Sequence, residues 1–283
     1  AFTFTGKAAG ELKERNVTRC QEEHGEIVGL AEMFVGTIHA FCLELLKTKV
    51  PECLKLEVLN QVQQTLLVDR NSKRSGLTVS TDLNGNSLRR YVDTGRFVEA
   101  MTILREAEYD EAQLAGNFVY DNLETYRSLL DEKGYLDYSE ILHRAVEVLS
   151  TNAEVRARVA ARVKHVVVDE YQDVNPVQEA LVWLLRDLGA ELTVVGDDDQ
   201  TIYQWRGSDV GNILTFPDRY DGASQKRLEE NFRSSEGIVA TARDFIRQNP
   251  ARLEKEMKPA SEQVFEPGDV VSQEFPDPEA EAR

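Results

Sequence analysis

Cysteine is scarce in this 283-residue chain. Cys20, Cys42 and Cys53 are odd in number and scattered, and they form neither a C-x-x-C pair nor a zinc spacing. That argues against a disulfide framework and a cysteine zinc site, and leads us to expect reduced thiols in a cytoplasmic protein. No apolar run approaches the ~20 residues of a membrane span. The segment Ala1-Phe2-Thr3-Phe4-Thr5 lacks the basic-then-apolar order of a signal peptide, so no membrane partner is expected. Positive charge is short as well: 33 Lys and Arg stand against 50 Asp and Glu, a net charge of −17. Such a balance argues against gripping nucleic acid through a broad basic surface, and it leaves room for a local groove with aromatic stacking. The phosphate-loop pattern G-x-x-x-x-G-K-[ST] occurs nowhere. The nearest approach, Ala1 to Ala8, has Ala at the first Gly and Ala8 in place of the Mg²⁺-binding hydroxyl.

What is present is a run of carboxylates at the end of an apolar stretch, Val166-Val167-Val168-Asp169-Glu170-Tyr171-Gln172-Asp173. Three β-branched residues predict a buried strand, and its carboxyl end is where open α/β sheets bind ligands. Carboxylates there are costly unless a cation or a reaction uses them. One can hold Mg²⁺ and the other can take a proton from an attacking water. A second apolar strand, Leu192 to Val195, runs into Gly196-Asp197-Asp198-Asp199-Gln200 and then Ile202-Tyr203-Gln204-Trp205-Arg206-Gly207. A Gln beside a phosphate site can orient water without taking its proton. Tyr203 and Trp205 can stack on unpaired bases while Arg206 meets a phosphate, although an isolated Tyr-x-Trp more simply belongs to a core. A third cluster is Leu228-Glu229-Glu230-Asn231-Phe232-Arg233-Ser234-Ser235, in which Arg233 can sense phosphate or serve as a surface or cap residue.

The pattern along the chain is α/β. Ala1 to Thr5 alternates as a strand and leads into a helix carrying Ala8, Ala9, Leu12 and Val17. A short strand near Met33 to Val35 leads into a helix from Ile38 to about Lys47. From Pro51 to about Lys133 polar helical segments alternate with turns such as Asp82 to Asn86, with one possible strand at Leu56 to Leu59. Lys73, Arg74, Arg89, Arg90 and Arg96 fit solvated helix faces. After Gly134 the core pattern resumes. Tyr138, Ile141, Leu142, Ala145, Val146 and Leu149 fit one helix face, with Asp137 or Ser139 as its cap. The succession of strand, helix from Val177 to Leu188, and strand, each buried, is the doubly wound pattern. From Glu254 to Arg283 nine acids, three bases and four prolines predict an extended, weakly packed tail.

Taken in order, these segments resemble the UvrD/Rep/PcrA-like superfamily 1 DNA helicases. Thr3-Phe4-Thr5-Gly6-Lys7-Ala8-Ala9 is similar to the family's T-x-T-N-K-A-A. Gly36-Thr37-Ile38-His39-Ala40-Phe41 is similar to G-T-F-H-S/A-F, and Gly134 to Tyr138 to G-x-x-D-F/Y. Asp169 to Asp173, Gly196 to Gly207, and Leu228 to Ser234 resemble its three later boxes. The resemblance implies a RecA-like, P-loop NTPase-type parallel sheet with helices on both faces and an inserted, mostly helical subdomain. It places the first part of motor core 1 at 1–50, the insertion at 51–133, the second part of core 1 at 134–230 and the start of a second core at 231–283. It implies ATP and Mg²⁺ as cofactors, and single-stranded DNA and single/double-strand junctions as partners. By position, Asp169 would hold Mg²⁺, Glu170 would be the general base, Gln200 would sense the γ-phosphate, and Arg233 would stabilise the transferring phosphoryl group. Phe232 would stack on adenine. Phe4, Tyr203 and Trp205 would stack on DNA bases, with Thr37, His39 and Arg206 contacting the strand's backbone or positioning those rings.

The implied activity is ATP-driven movement on single-stranded DNA, 3′→5′ by resemblance, with duplex unwinding in repair, replication or recombination. No motif names a loading partner. Two departures qualify the match. Gly6 stands where the family has Asn, which removes a side-chain amide. The phosphate loop of the family lies upstream of the Thr3 to Ala9 box, so we expect this chain to be a truncated piece that is inactive alone. A non-hydrolysing DNA- or partner-binding module and the motor portion of a helicase–nuclease are the alternatives.

Overall fold

The pairing of the first residues decides where the later acids go. In the computed structural model, which describes residues 1–25, 29, 32–77, 90–203, 207–250 and 252–282, Phe2 bridges in parallel to Gly36 on one side and to Val168 on the other. Strand β3 (His165–Val168) then pairs in parallel with β4 (Glu191–Val194), so that Val166 faces Leu192 and Val168 faces Val194. The protein is thus helix-rich α/β with small parallel sheets. The segment at Met33 to Val35 is not a regular strand. Gly36 alone forms a bridge there, while the Phe34 carbonyl accepts the Ala1 amino group at 2.7 Å, and the Phe34 ring lies where a Cβ on Gly36 would sit, 2.6 Å from ring carbon Cζ. That ring joins Phe2 and Phe41 in an edge-to-face cluster.

Helix α1 (Gly6–His24) starts where the Thr5 hydroxyl accepts the Ala8 N–H, and α2 (Ile38–Lys49) starts where Thr37 accepts from Ala40. Strand β1 (Glu57–Val58) and α3 (Gln61–Arg70) follow, then α4 (Arg90–Glu106) and α5 (Leu123–Lys133). These segments share their own core of Leu59, Val68, Phe97, Met101, Tyr126 and Leu130, among others. Gly134 ends α5 in the left-handed conformation that favours glycine. The chain then enters β2 (Tyr135–Leu136), which pairs in parallel with β1. Helix α6 (Tyr138–Thr151) is capped by Asp137 and buries Ile141, Leu142, Ala145 and Leu149 against α2 and α8 (Pro176–Asp187), with α7 (Ala153–Arg162) beside it.

Further sequence expectations about burial need correction. Tyr138 is not on the buried face of α6 but 48% exposed, because it sits at the first helical position. Strand β3 is not buried throughout: Val166 and Val168 are buried, while Val167 is 38% exposed. Strand β4 is not buried either: Leu192 and Val194 are half-buried, Glu191 and Thr193 are exposed, and Val195 just beyond is 47% exposed. Successive side chains alternate faces, and among the described residues the face carrying His165 and Val167 is open.

The chain divides into two compact units, Ala1–Ile213 and Leu214–Arg283. In the second, β5 (Glu230–Asn231) pairs in parallel with β6 (Lys258–Pro259), and α9 (Glu236–Ile246) lies between them in sequence. Among the described residues after Pro259 the only helix is Pro278–Glu281, and Val264 and Val271 are exposed.

Polar residues tie the helical segment to α6. The Arg105 guanidinium, buried at the end of α4, donates to both Asp137 carboxylate oxygens, at 3.0 and 2.7 Å, and to Glu140 at 2.7 Å. Tyr126 and Gln64 also donate to Asp137, and Arg144 donates to Glu140 at 2.8 Å. Removing one member of such a buried group strands the opposite charges, so Arg105→Ala should destabilise the fold by about 3–5 kcal/mol. Urea unfolding measures this, and a change under about 1 kcal/mol would show the group to be dispensable.

Candidate functional site

Three loops leave the sheet at the same edge. The Phe2 N–H donates to the Val167 carbonyl at 2.7 Å, and its carbonyl accepts the Asp169 N–H at 3.0 Å. Val195 N–H donates to the Val168 carbonyl, and Tyr171 N–H donates to the Val195 carbonyl at 3.0 Å. Thr3 to Thr5, Asp169 to Asp173 and Gly196 to Gln200 are therefore held side by side at the carboxyl ends of parallel strands, where the sheet leaves space for a ligand.

Glu170 has φ 54° and ψ 44°, and no other non-glycine among the described residues has positive φ. A β-carbon makes this left-handed conformation costly, by roughly 1–3 kcal/mol, and such strain concentrates at functional sites. It persists here because neighbours fix it. Glu170 N–H donates to Asp169 Oδ1 at 3.0 Å, and Gln172 Nε2 donates to Glu170 Oε2 at 2.8 Å. Gln172 is buried, and its Oε1 accepts the Asp197 N–H at 3.0 Å, so one amide ties the two acidic loops together. Gly196 makes room for that amide: a Cβ there would lie 2.6 Å from Gln172 Oε1. Asp197 in turn accepts from Gln200 Nε2 at 2.7 Å, and the Tyr171 hydroxyl donates to Glu179.

Asp173 is buried and its Oδ1 has no hydrogen-bond partner. Burial, then the neighbouring Glu170 charge, pushes its carboxyl up to about 6. On the same edge Phe4 stacks on Tyr203, with centroids 5.0 Å apart and planes 26° apart, and Phe4 remains 41% exposed. Thr37 uses its hydroxyl as the α2 cap. His39 meets Tyr138 edge-on at 5.6 Å, and burial lowers its pKa to about 4.

The expected site residues thus fall into groups. Asp169 and Glu170 are adjacent and bridged to the Asp197–Gln200 loop, and Phe4 and Tyr203 are in contact. Phe232, 71% exposed, and Arg233, exposed with its N–H donating to Asn231 Oδ1 at 3.0 Å, belong to the second unit. Trp205 and Arg206, with Gln204, lie outside the described residues, as do the Asp82 to Asn86 turn and Arg89. Gln172 joins the site only through its contacts, although as a neutral amide between acids in the D-E-x-Q-D box it carries a signal in the sequence.

The donor chemistry of the edge suits Mg²⁺. That ion takes one or two carboxylates and completes its shell with water and phosphate oxygens. Half-buried Asp169 offers one such carboxylate, and no group of three His, Cys, Asp or Glu among the described residues is arranged as a metal cage.

Parallel strands whose carboxyl ends carry two acidic loops beside an aromatic pair define a helix-rich α/β ligand edge, and residues 1–221 match the UvrD/REP helicase N-terminal domain family. The chain belongs to that family. It is 30% identical over 264 residues to DNA helicase II of Salmonella typhimurium and to DNA helicase II of Escherichia coli, covering 91% of this chain and 35% of each relative. It is 30% identical over 261 residues to ATP-dependent DNA helicase PcrA of Bacillus subtilis, covering 91% of this chain and 34% of that relative. The chain spans about a third of the length of the curated relatives it matches. No helix among the described residues is long and apolar enough to cross a membrane.

The two perturbed groups beside this edge act in opposite directions with pH. Between pH 6.5 and about 4 the unfolded chain binds a proton at His39 that the folded chain refuses, so stability falls as pH drops through that window. Folded Asp173 keeps a proton from 3.8 up to about 6 that the unfolded chain has lost, so its contribution falls as pH rises through that range. NMR titration of the His39 ring should give a midpoint near pH 4. A midpoint near 6.5 would place the ring in water.

Proposed function

We propose that this chain is part of the motor of an ATP-dependent DNA helicase or translocase that couples hydrolysis to movement on single-stranded DNA. The observation that carries the reading is the strained Glu170, next to Asp169 at a strand's carboxyl end and wired through Gln172 to the loop that leads to Tyr203. A nucleotide-hydrolysing edge and an aromatic stacking surface then share one rigid frame. The parallel order Gly36, Phe2, β3, β4 supports a RecA-like core. In this reading 1–50 and 134–230 form core 1, 51–133 is the inserted helical subdomain, and 231–283 begins a second core. The polarity is 3′→5′, the pathway is repair, replication or recombination, and the location is cytoplasmic.

In the proposed mechanism Asp169 would hold Mg²⁺, which when bound neutralises charge on phosphate oxygens. Glu170 accepts the proton of the water that attacks the γ-phosphorus, and the Gln172 amide fixes the carboxylate that receives it. Gln200 donates one amide hydrogen to Asp197 and would use its other on the γ-phosphate. Arg233 neutralises charge on the transferring group and Phe232 stacks on adenine. Phe4, Tyr203 and Trp205 hold DNA bases by stacking, and Thr37, His39 and Arg206 contact the strand's backbone or position those rings. A His39 pKa of about 4 means that a neutral ring serves there, through shape and hydrogen bonding rather than charge.

In the full-length polypeptide carrying this chain, Glu170→Gln should lower DNA-stimulated ATP turnover by about 10²–10⁴ while ATP binding persists. Turnover near the wild-type rate would remove Glu170 as the base. Phe4→Ala should weaken single-stranded DNA binding by about 1–3 kcal/mol in a fluorescence titration. Unchanged affinity would leave the Phe4–Tyr203 stack as packing alone.

A further inference from the structure

A further buried carboxylate lies close behind the acidic loop although it is far from it in sequence. Glu106, the last residue of α4, is buried and accepts two hydrogen bonds: the Ser139 hydroxyl donates to Oε1, and Asn175 Nδ2 donates to Oε2 at 2.7 Å. Burial pushes its carboxyl up from the ordinary value, while the Ser139 bond and the Arg105 charge pull it down.

Asn175 comes two residues after the Asp169 to Asp173 box and is also the cap of α8. Its Oδ1 accepts the Gln178 N–H at 2.9 Å and its N–H donates to Gln178 Oε1 at 3.2 Å. The cap requires the oxygen to face the helix, so the amide NH₂ is left facing Glu106, and a carboxylate is the group that matches it.

The neighbouring residues complete the junction. The Val174 carbonyl accepts the Asp209 N–H at 3.3 Å and Asn212 Nδ2 at 3.0 Å. Ala107 lies against Gly207, where an added Cβ would come within 3.2 Å of the Ala107 Cβ. The end of α4, the segment behind the acidic box and the segment that follows Trp205 and Arg206 therefore meet at Val174 and Asn175. Two residues upstream, Asp173 N–H donates to the Glu170 carbonyl at 2.9 Å, which closes the turn that holds Glu170 in its strained conformation.

We infer that Glu106 is a positioning residue for the hydrolytic carboxylate: through Asn175 it fixes the segment behind Glu170 to the helical segment and to the DNA-side loop. The inference rests on the proposed helicase reading. Glu106 touches no substrate, and its effect reaches Glu170 only through the Asn175 to Asp173 backbone. A displaced reactive group loses rate rather than ground-state binding, so the expected signature is a lowered kcat with unchanged ATP KM and DNA affinity.

Hydrogen-bond polarity provides the test. Glu106→Gln can still accept from Ser139, but its NH₂ then meets the Asn175 NH₂. Asn175→Asp sets two carboxylates together. Combining the two changes restores a donor facing an acceptor, while the second oxygen of the introduced carboxylate keeps the α8 cap. In the full-length polypeptide, Glu106→Gln should lower DNA-stimulated ATPase kcat by about tenfold, with ATP KM and single-stranded DNA Kd within about twofold, and the double variant should recover most of the loss. Asn175→Ser carries the same test should Glu106→Gln misfold, since Ser retains a capping oxygen but has no N–H to reach Glu106. A kcat within about twofold of wild type in both Glu106→Gln and Asn175→Ser overturns the inference. So does a loss that the double variant fails to repair while its Tm matches wild type. Absence of DNA-stimulated hydrolysis in the wild type overturns the helicase reading and this inference together, whereas wild-type hydrolysis with unaffected variants overturns this inference alone.

Discussion

The backbone of Phe2 is the constraint on which the site depends. Its N–H and carbonyl are both used by the segment from Val167 to Asp169, while the neighbouring Ala1 carbonyl and Thr3 N–H pair with Gly36. Parallel pairing carries a direction as well as a neighbour, so every loop that leaves these strands leaves at the same edge. Phe4, Thr37, Asp169 and Asp197 are far apart in sequence, and this ladder makes them neighbours. The side chain of Phe2 supports the same alignment from below, locked edge-to-face against Phe34 and Phe41.

Alignment alone would leave the loops loose, and buried amides tighten them. Gln172 commits its donor to Glu170 and its acceptor to Asp197, and Gly196 is the residue that lets it approach. Asn175 divides its donor and acceptor in the same way, between Glu106 and the α8 cap. Each amide has both ends occupied, so each transmits position: moving one partner requires the other to move or a buried hydrogen bond to break. The strained Glu170 backbone persists inside this frame.

Much of the frame was legible in the sequence, because its signals are local. Strand β4 and helices α2 and α8 followed from apolar periodicity, and side-chain chemistry at the start of α6 offered Asp137 or Ser139 as its cap, of which Asp137 is the one used. The acids after β3 announced a ligand edge because unpaired buried charge is expensive. Non-local terms were not legible. Val167 read as buried because β-branched residues look alike whichever face they occupy, and only the covering of the sheet decides. Met33 to Val35 read as a strand from a short apolar run, which cannot show that the pairing is confined to a single bridge at Gly36. Nothing local marks Arg105 and Glu106, whose partners lie 32 to 69 residues away.

The central claim is that the acidic edge hydrolyses nucleotide and that the aromatic surface beside it governs the rate. Phosphate release from ATP and Mg²⁺, measured on the full-length polypeptide as single-stranded DNA is titrated in, tests it most directly. The account predicts slow hydrolysis without DNA and a saturable rise with it. No hydrolysis, or a rate indifferent to DNA at saturating nucleotide, would contradict it.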